Sequence, residues 1–141
     1  MSTTAIRKTA IGEPSYRQVV ACSPEAASTA RRLVATALEM WGIQDLCSDA
    51  AQIASELATN AVVHTKCQTF RFSVELQEGG VRISAEDSAL DVLPARRAAD
   101  DSSLGGRGLH LVDALCARWG YELHPQSKTV WAELCVPEAE G

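Results

Sequence analysis

The stretch SELATNAVVH, residues 55–64, decides how the rest of the sequence is interpreted. Its pattern is that of an amphipathic helix, but Glu56, Asn60 and His64 are polar residues spaced four apart. At about 100° of turn per residue, a step of four drifts by only about 40°, so the three lie along one face. A carboxylate and a carboxamide one turn apart both offer oxygen atoms to hard cations such as Mg²⁺. In such a pair the carboxylate can act as a base and the carboxamide as a metal ligand. Taken alone, the stretch still favours a solvated helix face.

Composition and charge limit the class of protein. A chain of 141 residues is the size of one domain and can bury a core without a disulfide or a structural metal. Its net charge of −5 argues against binding to the phosphate backbone of nucleic acid. The cysteines are widely spaced without a Cys-x-x-Cys pair, which indicates free thiols in a reducing compartment. Because the sequence shows neither a signal-peptide pattern nor a run of about 20 apolar residues, we expect a cytoplasmic protein with no membrane partner.

The segments before residue 55 are predicted from hydrophobic periodicity. Residues 1–14 lack a periodic pattern and predict a loose tail, and residues 16–22 predict a short edge strand. Ser23-Pro24-Glu25 is typical of a helix start, with a serine cap and proline at the first helical position. The helix that follows is predicted to end at Gly42.

The segments after residue 64 predict strands, a long connection and one short helix. Residues 88–104 form a connection of about 17 residues, a length that favours a functional lid. Burying the apolar sides of all these elements predicts a two-layer α/β sandwich, with a mixed sheet and helices on one face. The predicted strands are residues 70–76, 81–85, 121–124 and 129–136, and the short helix is residues 109–115.

The glycines at residues 105–108 precede the short helix. Backbone amides at a helix N-terminus point outward, and glycines let a phosphate approach them closely. The run matches neither a P-loop nor a dinucleotide-binding fingerprint. A flexible hinge is an equally good interpretation of glycines here, but Arg107 between them favours an anion.

Asp87 ends a predicted strand just before the long connection. A carboxylate accepts hydrogen bonds only, and the amino group of adenine is a fitting donor. A turn residue at the end of a strand is the commoner use of aspartate. Both interpretations stay open on this residue alone.

Taken together, these segments resemble the motifs of the histidine-kinase-like ATPase (Bergerat) domain family. The chain is most similar to the stand-alone anti-sigma-factor serine/threonine kinases of bacteria, especially the short actinobacterial ones. The resemblance spans about residues 15–137, which leaves residues 1–14 and 138–141 as tails. It rests on Glu56-Leu57-x-x-Asn60-Ala61-x-x-His64, Asp87, Gly106-Arg107-Gly108-Leu109 and Thr129-Val130-Trp131, in that order.

The resemblance implies a role for each matching residue. Glu56 corresponds to the base that activates the attacking hydroxyl, and Asn60 to the residue that holds Mg²⁺ between the phosphates. Asp87 corresponds to the residue that accepts a hydrogen bond from the adenine amino group, and Thr129 to a threonine near the base. His64 is only a motif marker. The glycine box beside the phosphates corresponds to Gly106, Arg107, Gly108 and Leu109.

The implied function is an ATP- and Mg²⁺-dependent kinase acting on a serine or threonine of an anti-sigma-antagonist-type protein. The family also implies sequestration of a sigma factor and a homodimer. Ala89 and Asp91 stand where the family's first glycine box has glycines, so a non-catalytic, nucleotide-dependent binding module is the alternative. An interaction protein that binds no nucleotide is a third interpretation.

Overall fold

The described part of the chain forms six β-strands and two α-helices. The computed structural model describes residues 4–8, 14–64, 68–88, 116 and 118–135. A 3-10 turn at Gln44–Leu46 precedes the second helix. The elements are β1 Thr4–Lys8, β2 Pro14–Ala21, α1 Ala26–Met40, α2 Cys47–His64, β3 Thr69–Gln77, β4 Gly80–Asp87, β5 Arg118–Leu123 and β6 Lys128–Cys135.

The strands form one sheet in the order β1-β2-β3-β4-β6-β5. Both helices pack on this sheet, α1 against β2 and β3 and α2 against β3, β4 and β6. The predicted two-layer α/β sandwich is therefore confirmed. The predicted mixed sheet is wrong for the described strands, because all their pairings are antiparallel. Alternation in a sequence shows which side chains are buried but not the direction of the neighbouring strand.

The core lies between the helices and one face of the sheet, which we call the helix-covered face. Side chains on each strand alternate between this face and the opposite one, the open face. In β3, β4 and β6, every second residue is buried against the helices. The largest fully buried apolar side chains are Phe70, Phe72, Leu38, Ile53, Leu57 and Ile83.

Helix α1 begins and ends close to its predicted bounds. The backbone N–H of Glu25 donates to Ser23 Oγ at 3.3 Å, so the serine supports the turn that leads into the helix. At the other end Gly42 has a φ of 74°, a left-handed conformation that favours glycine. The N–H of Ile43 donates to the carbonyl of Leu38 at 2.9 Å, the bond that closes a Schellman motif.

The N-terminal strand differs from the sequence-based expectation. Residues 1–14 were expected to form a loose tail, but Thr4–Lys8 form β1 and pair with β2. Strand β2 is consequently an interior strand between β1 and β3, where an edge strand was predicted. A short edge strand is held mainly by backbone hydrogen bonds on one side, so it needs little of the apolar alternation used for prediction.

The open face is polar and rich in ion pairs. Arg71 lies 3.5 Å from Glu86, and Arg118 lies 2.7 Å from Glu133. The guanidinium of Arg82 lies 4.4 Å from the ring centroid of Trp131, within range of a cation–π contact. Within the described residues, no helix is long and apolar enough to cross a membrane.

Candidate functional site

Glu56 and Asn60 lie one helical turn apart in the second half of α2. Glu56 is partly exposed, and the amide Nε2 of Gln52, one turn earlier, donates to its Oε2 at 3.3 Å. A neutral amide partner can orient a carboxylate without neutralising its charge. The Glu56 carboxylate is therefore partly accessible, as its predicted role as a base requires.

Asn60 is a buried polar residue on the same helix. It is only 8% exposed, and its Oδ1 has no hydrogen-bond partner among the residues that the structure describes. A buried acceptor without a partner costs about 1–3 kcal/mol. Magnesium in proteins commonly takes few protein oxygens beside phosphate oxygens and water. The environment of Asn60 Oδ1 therefore fits the ligand role that the sequence predicts.

Asp87 ends β4 on the helix-covered face. The buried residues of β4 occur at every second position, and Asp87 continues that series after Ile83 and Ala85. Its direct cross-strand partner is Lys128, the first residue of β6. Lys128 Nζ lies 3.7 Å from Asp87 Oδ1, and the two side chains are 2% and 3% exposed. The predicted base-binding carboxylate thus belongs to a buried ion pair.

Thr129 lies on the open face, away from Asp87. It is directly opposite Glu86 in the sheet, and its Oγ1 lies 3.0 Å from His124 Nε2. Neighbouring residues of a strand point to opposite faces, so Thr129 and Lys128 cannot both lie beside Asp87. The structure therefore brings Glu56, Asn60 and Asp87 to the helix side of the sheet and places Thr129 on the other side.

Several predicted features lie outside the described residues. These are most of the predicted lid, residues 89–104, the short helix at residues 109–115, and Gly106, Arg107, Gly108 and Leu109. The backbone of His64 belongs to α2, and its side chain is not among those described. The roles of these residues stay predictions.

Lys128 is the residue at this site that the sequence reasoning missed. The signal was present in the alternation of β6, since Val130, Ala132 and Leu134 are the buried residues of that strand. Counting back by two from Val130 places Lys128, rather than Thr129, on the helix-covered face. The resemblance indicates Thr129 instead, one residue away and on the opposite face of the strand.

Comparison with known proteins identifies a family. A family model described as a histidine kinase-like ATPase domain matches residues 20–134. This span covers most of the chain and includes α1, α2 and β3 to β5 in full. A search of curated proteins gives no match to the chain.

Proposed function

The chain belongs to the histidine kinase-like ATPase domain family, an ATP-binding domain, and we propose that it is a Mg²⁺-dependent serine/threonine protein kinase. The observation that carries the proposal is Asn60. A buried carboxamide oxygen without a hydrogen-bond partner among the described residues lies one turn from a partly exposed carboxylate, that of Glu56. Phosphoryl transfer needs a metal ligand and a hydroxyl-activating base placed close together.

Each residue has a separate task in this proposal. Asn60 Oδ1 would hold Mg²⁺, which would supply neutralisation of the charge on the phosphate oxygens. The Glu56 carboxylate accepts the proton of a serine or threonine hydroxyl on the protein substrate. Asp87 accepts a hydrogen bond from the base of ATP and thereby orients the nucleotide.

The proposed kinase also needs a protein substrate. We propose an anti-sigma-antagonist-type protein as the phosphate acceptor and a sigma factor as a second partner. Both are what the resemblance of the sequence motifs to those of the short bacterial anti-sigma-factor kinases implies. The same similarity suggests that the chain acts as a homodimer.

The test of the kinase proposal is a phosphotransfer assay with Glu56→Gln. The variant keeps the size of the side chain and removes the basic carboxylate, so ATP should bind with unchanged affinity while transfer to the partner falls by about 10²–10⁴-fold. Labelled ATP and a purified antagonist-type partner give the rate, and calorimetry gives the affinity.

Glu39→Gln is the matched control, because Glu39 is an exposed glutamate near the end of α1. It should leave both the rate and the affinity unchanged. Transfer by Glu56→Gln at the wild-type rate would exclude Glu56 as the base.

A second candidate function is a nucleotide-dependent binding module without catalysis. Ala89 and Asp91, in place of the glycines of the first box, favour it. In that case the wild-type protein would bind ATP and a partner together but transfer no label. The same assay therefore separates the two functions.

A further inference from the structure

Strands β4 and β6 bring a carboxylate and an ammonium together at one end of the sheet. Asp87 is the last residue of β4, Lys128 is the first residue of β6, and the two are direct cross-strand partners. The Nζ–Oδ1 distance is 3.7 Å, and both side chains are almost completely shielded from water. The pair lies on the helix-covered face, the face on which α2 packs with Glu56 and Asn60.

Stability alone does not account for such a pair. Removing two charges from water is costly, and a buried ion pair is on average no more stable than a well-packed apolar pair of similar volume. Lysine is almost never fully buried unless it is paired, and the partner of Lys128 is Asp87. Because Asp87 has a proposed role in binding the base, Lys128 lies where it can act on the same base.

We propose that Lys128 contacts the base of the bound nucleotide together with Asp87 and selects adenine, an inference that rests on the ATP binding proposed above. The Watson–Crick edge of adenine presents the exocyclic amino group, a donor, next to ring atom N1, an acceptor. A carboxylate can only accept, and an ammonium group can only donate. Asp87 accepts from the amino group, and Lys128 donates to N1.

The same pair disfavours guanine. Guanine presents a carbonyl oxygen where adenine has the amino group, and an N–H where adenine has the N1 acceptor. Asp87 would then face an acceptor and Lys128 would face a donor, so both contacts would be repulsive. Thr129 cannot supply this donor, because it lies on the open face beside Glu86 and His124.

The proposal is tested first on the wild-type chain with 1-deaza-ATP, in which a C–H group replaces ring N1. A hydrogen bond from a charged donor is lost, so titration calorimetry should give an affinity at least about tenfold weaker than that for ATP. Equal affinities for the two nucleotides would overturn the contact without any variant. An absence of ATP binding by the wild-type chain would instead contradict the proposed function itself and remove the basis of this inference.

Variants then assign the contact to Lys128. Lys128→Met keeps much of the stem and has no donor, so it should bind ATP and 1-deaza-ATP equally. Lys128→Gln retains an N–H donor and should restore part of the preference for ATP. Thr129→Val changes the next residue on the opposite face and should show the full wild-type preference.

A purely structural Lys128 gives a different result. Its replacement would weaken both nucleotides together and leave their ratio as in the wild type, which would overturn the proposal. If Lys128→Met does not fold, the ratio measured for Lys128→Gln decides: a reduced preference supports the contact, and a wild-type preference overturns it.

Discussion

In the buried pair of Asp87 and Lys128, each charge compensates the other. Removing one partner of a buried pair leaves an uncompensated buried charge, which typically costs about 3–5 kcal/mol. We therefore expect Asp87→Asn and Lys128→Met each to lower the free energy of unfolding by about this amount. The double variant has neither charge and should lose clearly less than the sum of the two. Urea unfolding of the four proteins measures all three differences.

Additive losses in the double variant would show that the two charges do not interact in the folded protein.

The nucleotide affinities of the same set of variants test a separate prediction, the contact of Asp87 with adenine. Asp87→Asn removes one accepting oxygen from the contact with adenine, so ATP binding should weaken by about 1 kcal/mol or more. The double variant should not recover this affinity, even where it recovers stability.

Thr129 and Lys128 show which features of a single residue can be predicted from the sequence and which cannot. The motif Thr129-Val130-Trp131 located β6 correctly, but a shift of one residue reverses the face that a strand side chain occupies. The register with β4 places Lys128 opposite Asp87. Which cross-strand residue faces Asp87 depends on that register, and β6 is separated from β4 by 40 residues of sequence.

At the scale of elements, Gly42 ends α1 by a mechanism that can be tested. Its φ of 74° is unfavourable for any residue with a Cβ atom, and open space around the position leaves the backbone as the main source of cost. Gly42→Ala should therefore lower the free energy of unfolding by about 1 kcal/mol. Thr36→Ala, at an exposed position of the same helix, should change it by less than about 0.5 kcal/mol. Equal stabilities for both variants in urea unfolding would contradict this account of the helix end.

The helices and the central strands were predictable because their apolar residues recur with a clear period. In α2 the apolar residues Ile53, Ala54, Leu57 and Ala61 recur at helical spacing, and the structure buries all four. Strand β1 and the antiparallel pairing of β4 with β6 were not predictable in this way. Backbone hydrogen bonds determine both, and these bonds leave little trace in side-chain periodicity.

At the scale of the whole molecule, the two faces of the sheet use polar residues differently. On the open face, charged residues are paired across strands, as in the contacts of Arg82 with Glu122 at 3.3 Å and with Glu133 at 3.6 Å. Partly exposed pairs of this kind add little to stability. On the helix side, polar groups lie within an otherwise apolar layer, where an unpaired atom is costly. We propose that the chemistry takes place on this helix side, where α2 carries Glu56 and Asn60.

The central claim is that Asn60 Oδ1 holds Mg²⁺ beside bound ATP. Measuring the binding of ATP with and without Mg²⁺ tests this claim most directly. Titration calorimetry would compare the wild-type chain with Asn60→Leu, which removes the carboxamide oxygen, and with Thr59→Leu at a neighbouring exposed position of α2. We predict that Mg²⁺ strengthens ATP binding by about tenfold or more, or about 1.4 kcal/mol, in the wild type and in Thr59→Leu, and has no such effect in Asn60→Leu. An equal effect of Mg²⁺ on all three proteins, or no ATP binding by the wild type, would contradict the account.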